Sequence, residues 1–220
     1  MADYSALKKG LLGEWGCRGF SPSSPVRAAF MKVPREKFVL KEDAGRAYHD
    51  IPLLIMHGQT ISQPFAVVRM TDELGLRKRH KVLEVGTGSG YQAAMIAEVV
   101  GLKGKVVSTE RIPELVSFAR ANLKKAGIIS VEVVEWDGSC GYEKEAPYDR
   151  IIVTAACPGI PRPLVEQLKP GGILIAPVSR SHYSQKLVRL AKHVDSSFET
   201  RELGDYVFVP LIGKHGFSCV

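Results

Sequence analysis

The sequence predicts an α/β fold built on a doubly wound, mainly parallel sheet, with a helical and irregular extension at the N-terminus. From residue 81 to about residue 178, short apolar segments alternate with segments of helical periodicity. This alternation is typical of parallel strands joined by crossover helices. Residues 1 to about 75 lack the alternation and contain many Pro, Gly and Ser residues. The segment 150–154 contains an unbroken apolar run, which indicates a strand buried on both faces.

The individual elements follow from periodicity and from helix-end signals. A helix is expected to begin at Pro64, because Val67, Met70 and Leu74 recur at helical spacing. A later helix has Pro113 near its start and Gly127 beyond its end, as helices often do. The predicted strands are 81–85, 105–109, 131–135, 150–154, 172–178, 186–193 and 206–211, and the predicted helices among them are 90–100, 113–126 and 163–168. We expect one compact unit, in which a helical and loop region (residues 1–75) packs on an α/β core (residues 76–220).

The composition narrows the possible functions. A net charge of +7 is compatible with a nucleic-acid partner or an anionic substrate, but the densest basic run, 77–81, follows a predicted helix, where cations favour the helix dipole. Four scattered cysteines without a C-x-x-C pair and six histidines without metal-ligand spacing predict a reduced compartment and no metal site. Apolar runs stay shorter than the roughly eighteen residues of a membrane span, and the N-terminus lacks the signal-peptide pattern. We therefore expect a cytoplasmic protein that binds neither membranes nor nucleic acids.

A glycine-rich segment follows the first strand of the alternating region. Residues 84–90 read Glu-Val-Gly-Thr-Gly-Ser-Gly, and glycines at a strand–helix junction let the backbone turn tightly and approach a ligand closely. Tyr91 breaks the dinucleotide fingerprint G-x-G-x-x-G/A, and a P-loop would require G-K-[ST]. The G-x-G-x-G form after an acidic strand end resembles methyltransferases that bind S-adenosylmethionine. The candidate cofactor-binding residues of this segment are Glu84, Gly86, Thr87, Gly88 and Ser89.

Two further acidic residues follow predicted strands. Glu110 lies about twenty residues beyond the glycine segment, where a carboxylate can accept hydrogen bonds from both hydroxyls of a ribose; the alternative is a solvated acid at a strand end. Asp137 is a candidate acceptor for an adenine amino group, with the Gly138 backbone beside it; the alternative is an Asp-Gly turn. Ligands bind at the carboxyl ends of parallel strands, so the three features together predict an S-adenosylmethionine site.

Segments outside the cofactor elements carry a more specific resemblance. The segments 33–39, 48–53, 58–62, 152–156 and 208–211, in this order around the glycine-rich segment, resemble protein-L-isoaspartate O-methyltransferases. The most specific part is Gly-Gln-Thr-Ile-Ser at 58–62, and the resemblance extends from about Val26 to Phe217. The sequence departs from the family at Leu54 and Met56, where Pro and Gly are common, and at Trp136, where Gly is common.

The resemblance implies a Rossmann-like methyltransferase fold and a repair reaction. The enzyme would transfer a methyl group from S-adenosylmethionine to the free α-carboxylate of L-isoaspartyl residues in damaged proteins and peptides, leaving S-adenosylhomocysteine. The ester returns to a succinimide, and hydrolysis restores some normal aspartate. The resemblance places Ser62 beside the methyl donor and the carboxylate, with Thr60 next in line, in an enzyme expected to be monomeric. The residues expected to contact the substrate are Ile55, Gln59, Val209 and Leu211.

The chemistry of this reaction explains why the sequence needs no general-base motif near Ser62. The acceptor is a carboxylate with a pKa of roughly 3.5, so it is ionised at neutral pH and needs no general base. The donor is a sulfonium cation that is already activated. Alignment of oxygen, methyl carbon and sulfur is then the main task of the protein, which fits the absence of a His–Asp or paired-acid motif near Ser62.

Structural alternatives exist for the substrate-side residues. Ser62 or Gln63 is also a candidate N-cap for the helix that begins at Pro64. Segment 208–211 is a candidate for pairing with the backbone of an extended peptide, but it also fits a last strand with Pro210 at an edge.

Two other functions remain open from the sequence. An RNA or small-molecule methyltransferase fits the positive charge. However, base methylation would favour an Asn-Pro-Pro-Tyr-like end on the fourth strand, and this chain has Thr-Ala-Ala-Cys at 154–157. A non-enzymatic binding module is disfavoured by the intact glycine segment.

Overall fold

A computed structural model describes residues 3–181 and 184–218 of the chain, and a seven-stranded sheet lies at its centre. The helices are α1 (Tyr4–Cys17), α2 (Ser24–Lys32), α3 (Pro64–Glu73), α4 (Tyr91–Val100), α5 (Pro113–Ala126) and α6 (Arg162–Glu166). The strands are β1 (Leu53–Leu54), β2 (Thr60–Ile61), β3 (Lys81–Val85), β4 (Lys105–Glu110), β5 (Val131–Glu135), β6 (Tyr148–Val153), β7 (Leu168–Ser181), β8 (Ser184–Lys192) and β9 (Phe198–Tyr206).

The order across the sheet is β5-β4-β3-β6-β7-β8-β9. Strands β3 to β7 run parallel, and β8 and β9 are antiparallel. One face, with Val82, Val106 and Ile152, packs against α3 and α4, and the other, with Leu83 and Ile151, packs against α6 and the C-terminal segment. Burial on both faces explains why these strands read as continuous apolar runs. The predicted doubly wound, mainly parallel fold is confirmed.

The last predicted strand is wrong. Residues 206–211 were expected to form it, but the edge strand is β9 and ends at Tyr206. Residues 207–211 make one isolated bridge, between Pro210 and Ala156, and Pro210 has no N–H to continue pairing on its other edge. Strand β9 escaped prediction because most of its side chains are exposed, so it lacks an apolar pattern. The basic run also differs from expectation: α3 ends at Glu73, and residues 77–80 form the turn before β3.

The N-terminal extension is held to the core by a buried tryptophan and one carboxylate. Trp15 is fully buried and packs against Phe30 and Phe65. Its indole N–H donates to Asp50 Oδ2 at 2.9 Å, and the Phe65 amide donates to Asp50 Oδ1 at 2.8 Å. Phe65 lies in the first turn of α3, so Asp50 satisfies an amide that the helix leaves unpaired and ties this turn to α1.

The described part of the chain contains three free cysteines and no cluster of potential metal ligands. Cys17, Cys140 and Cys157 are free thiols. Within residues 3–181 and 184–218, no three His, Cys, Asp or Glu side chains converge as metal ligands would. Over the same ranges, none of the helices has the length and apolar character that crossing a bilayer requires.

A buried carboxyl group lies between the central strands. Glu84 on β3 is fully buried and accepts a short hydrogen bond from the Ser108 hydroxyl on β4. Its Oε1 has no partner among the described residues. Burial is the largest effect and raises the pKa of Glu84 to about 8. The hydrogen bond from Ser108 opposes this rise, and the negative charge of Glu110 adds a smaller upward contribution.

We predict that Glu84 makes the protein less stable as the pH rises. The folded state holds the Glu84 proton up to about pH 8, whereas the unfolded chain releases it near pH 4.5. Stability from the neutral carboxyl is therefore present below the unfolded pKa and is lost as the pH rises through the folded pKa. Relative to a Glu84→Gln variant, the wild type should lose on the order of a few kcal/mol of unfolding free energy between pH 5 and pH 9. Urea unfolding of both proteins across this range measures the difference, and parallel profiles would contradict the assignment.

Candidate functional site

The loop between β3 and α4 lies at the carboxyl edge of the sheet. Gly86 has a φ of +96°, which side chains with a Cβ rarely allow. A Cβ at this position would also overlap the Thr154 hydroxyl. That hydroxyl donates to the Gly86 carbonyl oxygen at 2.6 Å, so the end of β6 fixes the start of the glycine loop.

Glu110 joins this loop to the end of β4. Its Oε2 accepts from the Gly88 amide at 3.0 Å, and its Oε1 accepts from the amides of Arg111 and Ile112 at 2.9 and 3.1 Å. The side chain is largely buried and borders a cleft. A carboxylate oxygen accepts about two hydrogen bonds, so Oε2, which accepts one, retains acceptor capacity in a residue that borders this cleft.

Three other candidates of the glycine segment turn away from that cleft. The Thr87 hydroxyl pairs with Ser108 at 2.6 Å, and Ser108 in turn binds Glu84. The Ser89 hydroxyl accepts from the Tyr91 amide at 3.3 Å. Glu84 therefore lies behind the loop, where it supports the backbone through Ser108 and Thr87.

Asp137 makes several hydrogen bonds within the protein, and its contact with adenine stays a prediction. Its Oδ1 accepts from the Ser139 amide and hydroxyl at 3.0 and 2.7 Å, and its Oδ2 accepts from the Lys214 amide at 2.8 Å. Burial acts to raise the pKa of Asp137, but the hydrogen bonds from Lys214 and Ser139 outweigh it and lower the pKa. The side chain fastens the C-terminal segment to the turn after β5.

The neighbours of Asp137 border the cleft instead. Trp136 is 47% exposed, and its indole N–H donates to the Gly141 carbonyl oxygen at 2.8 Å. Gly138 packs so closely on Val85 and Thr109 that a Cβ would overlap both side chains. The backbone at Gly138 therefore forms part of the cleft wall.

Three spaces that share wall residues lie at this edge of the sheet. The strand-end cleft has a volume of about 660 Å³, part of it open to solvent, and is bordered by Gly86, Gly88, Glu110, Ile112, Gly138 and Leu211, among others. The inner chamber has a volume of about 400 Å³, also partly open to solvent, and is bordered by Ser62, Thr87, Ser89, Tyr91 and Gln92, among others. The side groove, of about 1480 Å³, is bordered by Ser62, Phe65, Gln185, Tyr206, Phe208 and Val209, among others.

Thr60 and Thr154 border all three spaces. Thr60 lies on β2, which pairs antiparallel with β1, and Thr154 follows β6. The prediction singled out Thr60, but it assigned no role to Thr154. Its position after a buried strand was the available signal, because that strand lies next to the one that carries the glycine loop.

Ser62 borders the side groove and the inner chamber. The N-cap of α3 is Gln63, which makes no side-chain cap bond, and Asp50 accepts from the Phe65 amide of the first turn. The capping alternative for Ser62 is therefore wrong. Its half-buried hydroxyl forms no hydrogen bond within the described ranges, which leaves it available to a ligand.

Residues 208–211 run along the end of β6. The Val209 carbonyl oxygen accepts from the Ala156 amide, and the Leu211 amide donates to the Ala156 carbonyl oxygen, both at 2.8 Å. On the opposite edge, Phe208 is bound by the Gln185 side chain, and Pro210 has no N–H. This segment thus offers few free groups for pairing with an extended peptide, whereas the Val209 N–H has no acceptor in the described part of the chain.

The remaining substrate candidates occupy different places. Val209 borders both the strand-end cleft and the side groove. Gln59 and Leu211 border the strand-end cleft. Ile55 is buried beneath Gly88, with its Cδ1 3.7 Å from where a Cβ would be, and it borders none of the three spaces.

Known proteins share both the sequence and the fold. A family model described as protein-L-isoaspartate(D-aspartate) O-methyltransferase matches residues 6–216. The chain is 52% identical to the protein-L-isoaspartate O-methyltransferase of Methanopyrus kandleri over 201 residues, which are 91% of this chain and 88% of the relative. It is 49% identical to the enzyme of the same name from Methanosarcina mazei over 202 residues, 92% and 82% of the two chains.

Solved structures agree with these relatives. A protein-L-isoaspartate O-methyltransferase superposes with a TM-score of 0.86 at 31% identity, covering 96% of this chain and 67% of that chain. A structure from Plasmodium falciparum, described as a protein-L-isoaspartate O-methyltransferase in complex with S-adenosyl-L-homocysteine, superposes with a TM-score of 0.81 at 25% identity and covers 96% and 99%. The chain therefore belongs to the protein-L-isoaspartate(D-aspartate) O-methyltransferase family.

Proposed function

We propose that S-adenosylmethionine occupies the strand-end cleft and the inner chamber, that an isoaspartyl segment occupies the side groove, and that methyl transfer takes place between them. As a member of its family, the chain is an S-adenosylmethionine-dependent methyltransferase that repairs proteins carrying L-isoaspartyl residues. The main support for placing the cofactor and the substrate in these spaces is that Thr60 and Thr154 border all three of them. The transferred methyl group must lie where donor and acceptor spaces meet.

The cofactor assignment follows the chemistry of the walls. We place the ribose hydroxyls at Glu110, whose Oε2 retains acceptor capacity. The adenine fits the outer part of the cleft, between the backbone at Gly138 and the apolar side chains of Ile112 and Leu115. The charged amino-acid end fits the inner chamber, since its walls carry polar groups, including the Gln92 side chain.

The acceptor carboxylate requires hydrogen-bond donors in the side groove. The Ser62 hydroxyl and the Val209 N–H both lie on its walls, and both lack partners in the described part of the chain. We propose that they bind one carboxylate oxygen and leave the other free to attack the methyl group. Hydrogen bonds to a charged acceptor are the stronger kind, so two donors suffice to fix its orientation.

The reaction then needs little beyond this orientation. The carboxylate oxygen forms a bond to the methyl carbon as the carbon–sulfur bond breaks, and the electron pair of that bond neutralises the sulfonium. No proton moves, so the reaction needs no general base, and Asp205, a carboxylate on the groove wall, is paired with Lys186. Holding the reacting atoms in line at about 3–3.5 Å supplies the rate enhancement.

We further propose that the protein acts as a monomer in the cytoplasm, without nucleic-acid or membrane partners, and as one compact unit. Free thiols at Cys17, Cys140 and Cys157 suit a reducing compartment. Core residues of α1 and α2 belong to the same apolar cluster as residues of α4 and α5, which supports a single unit.

The repair reaction predicts discrimination between two isomeric peptides. With labelled S-adenosylmethionine, an isoaspartyl peptide should accept the methyl group, and the matched aspartyl peptide should not. The reason is that only the isoaspartyl linkage presents a free α-carboxylate on a short arm. Equal labelling of the two peptides, or labelling of neither, would reject the proposal.

Replacing Ser62 by alanine should lower kcat/KM for the isoaspartyl peptide by about 10- to 100-fold, because one hydrogen bond to a charged group is lost. Thermal stability should not change, since Ser62 caps no helix. Ser23→Ala is the matched control, because Ser23 also precedes a helix without a side-chain cap bond. Full activity of Ser62→Ala would remove Ser62 from the site.

Glu110→Gln should weaken S-adenosylhomocysteine binding by about 10- to 100-fold, since the ribose loses a charged acceptor. Isothermal titration calorimetry measures the dissociation constant. Glu114→Gln provides the control, because Glu114 is an exposed acid on the first turn of α5. An unchanged dissociation constant for Glu110→Gln would contradict the ribose assignment.

A further inference from the structure

The side chain of Gln185 forms a two-point contact with the backbone of Phe208. Gln185 Oε1 accepts from the Phe208 N–H at 2.7 Å, and Gln185 Nε2 donates to the Phe208 carbonyl oxygen at 2.9 Å. Gln185 itself is paired with Tyr206, the last residue of β9. The side chain therefore continues the pattern of strand pairing beyond the point where the sheet ends.

This contact fixes the direction of a neighbouring N–H group. The Phe208 carbonyl and the Val209 N–H belong to one peptide unit, which is planar and trans, so the two groups point in opposite directions. With the carbonyl held toward Gln185, the Val209 N–H points away from Gln185. It points toward the same side as the Val209 carbonyl, which meets the Ala156 amide at 2.8 Å.

The Val209 N–H therefore points toward the residues that follow β6. Ala156 lies two residues after Thr154, and Thr154 borders the strand-end cleft, the inner chamber and the side groove. The N–H is thus directed toward the point where donor and acceptor spaces meet. A donor on the carbonyl end of a peptide also polarises the unit and strengthens its N–H as a donor.

We propose that Gln185 is a positioning residue for methyl transfer, which holds the Phe208–Val209 peptide so that the Val209 N–H binds the substrate carboxylate. The inference rests on the proposed function, because it assumes the carboxylate site at Ser62 and Val209. Gln185 would not touch the reacting atoms. Without its side chain, the peptide unit could rotate, since on this edge only Gln185 holds the Phe208 groups in the described part of the chain.

Two substitutions of Gln185 separate positioning from simple support. Gln185→Ala removes both hydrogen bonds, and Gln185→Glu keeps the acceptor for the Phe208 N–H but places an oxygen against the Phe208 carbonyl. Both variants should lower kcat for the isoaspartyl peptide, and kcat/KM should fall by about tenfold. The dissociation constant of S-adenosylhomocysteine should not change. Glu199→Gln, at the far end of the β8–β9 hairpin, is the control that should behave as wild type.

A direct readout is the amide resonance of Val209 in protein labelled with ¹⁵N-valine. In the wild type saturated with S-adenosylhomocysteine, adding the isoaspartyl peptide should shift this resonance downfield, while the exposed Val194 serves as reference. In Gln185→Ala the shift should be lost or strongly reduced. If Gln185→Glu shows part of the wild-type shift, the retained hydrogen bond to the Phe208 N–H accounts for that part. The missing part then comes from the lost hydrogen bond to the Phe208 carbonyl oxygen.

The outcomes distinguish the inference from the function on which it rests. An equal Val209 shift in the wild type and in Gln185→Ala, or unchanged kcat in both variants, would overturn the role of Gln185 and leave the repair reaction intact. No shift in a wild type that methylates the isoaspartyl peptide would overturn the contact at Val209 and the inference with it. A wild type that fails to discriminate isoaspartyl from aspartyl peptides would instead reject the proposed function.

Discussion

The arrangement of the site depends on the pairing of β3 with β6. A hydrogen bond from the Thr154 hydroxyl to the Gly86 carbonyl oxygen joins the ends of these two strands. After β3 the chain moves outward through β4 and β5, and it then returns to the opposite side of β3 as β6. Connections that leave a sheet in opposite directions open a crevice between two neighbouring strand ends. The glycine loop, Glu110 and Thr154 all lie around this crevice because the topology places their strand ends together.

The C-terminal segment closes the crevice and gives it two compartments. It is held at one end by Gln185, in the middle by Ala156, and near its far end by Asp137 and Ser139. The same stretch of backbone borders the side groove with Phe208 and the strand-end cleft with Leu211. One wall therefore serves two spaces, and Val209 lies at the boundary between them.

Acidic residues near the site divide into two kinds. Glu110 borders the strand-end cleft and retains acceptor capacity toward it, whereas Glu84 and Asp137 use their oxygens to hold other parts of the protein. Taking a carboxyl group out of water is costly unless it is paired or neutral. The buried Glu84 is accommodated by a raised pKa, and the half-buried Asp137 by three hydrogen bonds from Ser139 and Lys214. Glu110 thus borders the cleft while it also binds three backbone amides, and Glu84 and Asp137 stabilise the walls.

The sequence by itself determined the fold class, most element bounds and the family, because these depend on local periodicity and on residues that are contiguous in the chain. Helix 113–126 and strand 131–135 could be predicted because apolar spacing and helix-end signals are local. The roles of Asp137, Thr154 and Gln185 could not, since each depends on a partner that is distant in sequence. Only the tertiary structure decided that Asp137 binds Lys214, that Thr154 meets Gly86 and that Gln185 holds Phe208, because hydrogen bonds require atoms within about 3 Å and the chain path alone brings these atoms together.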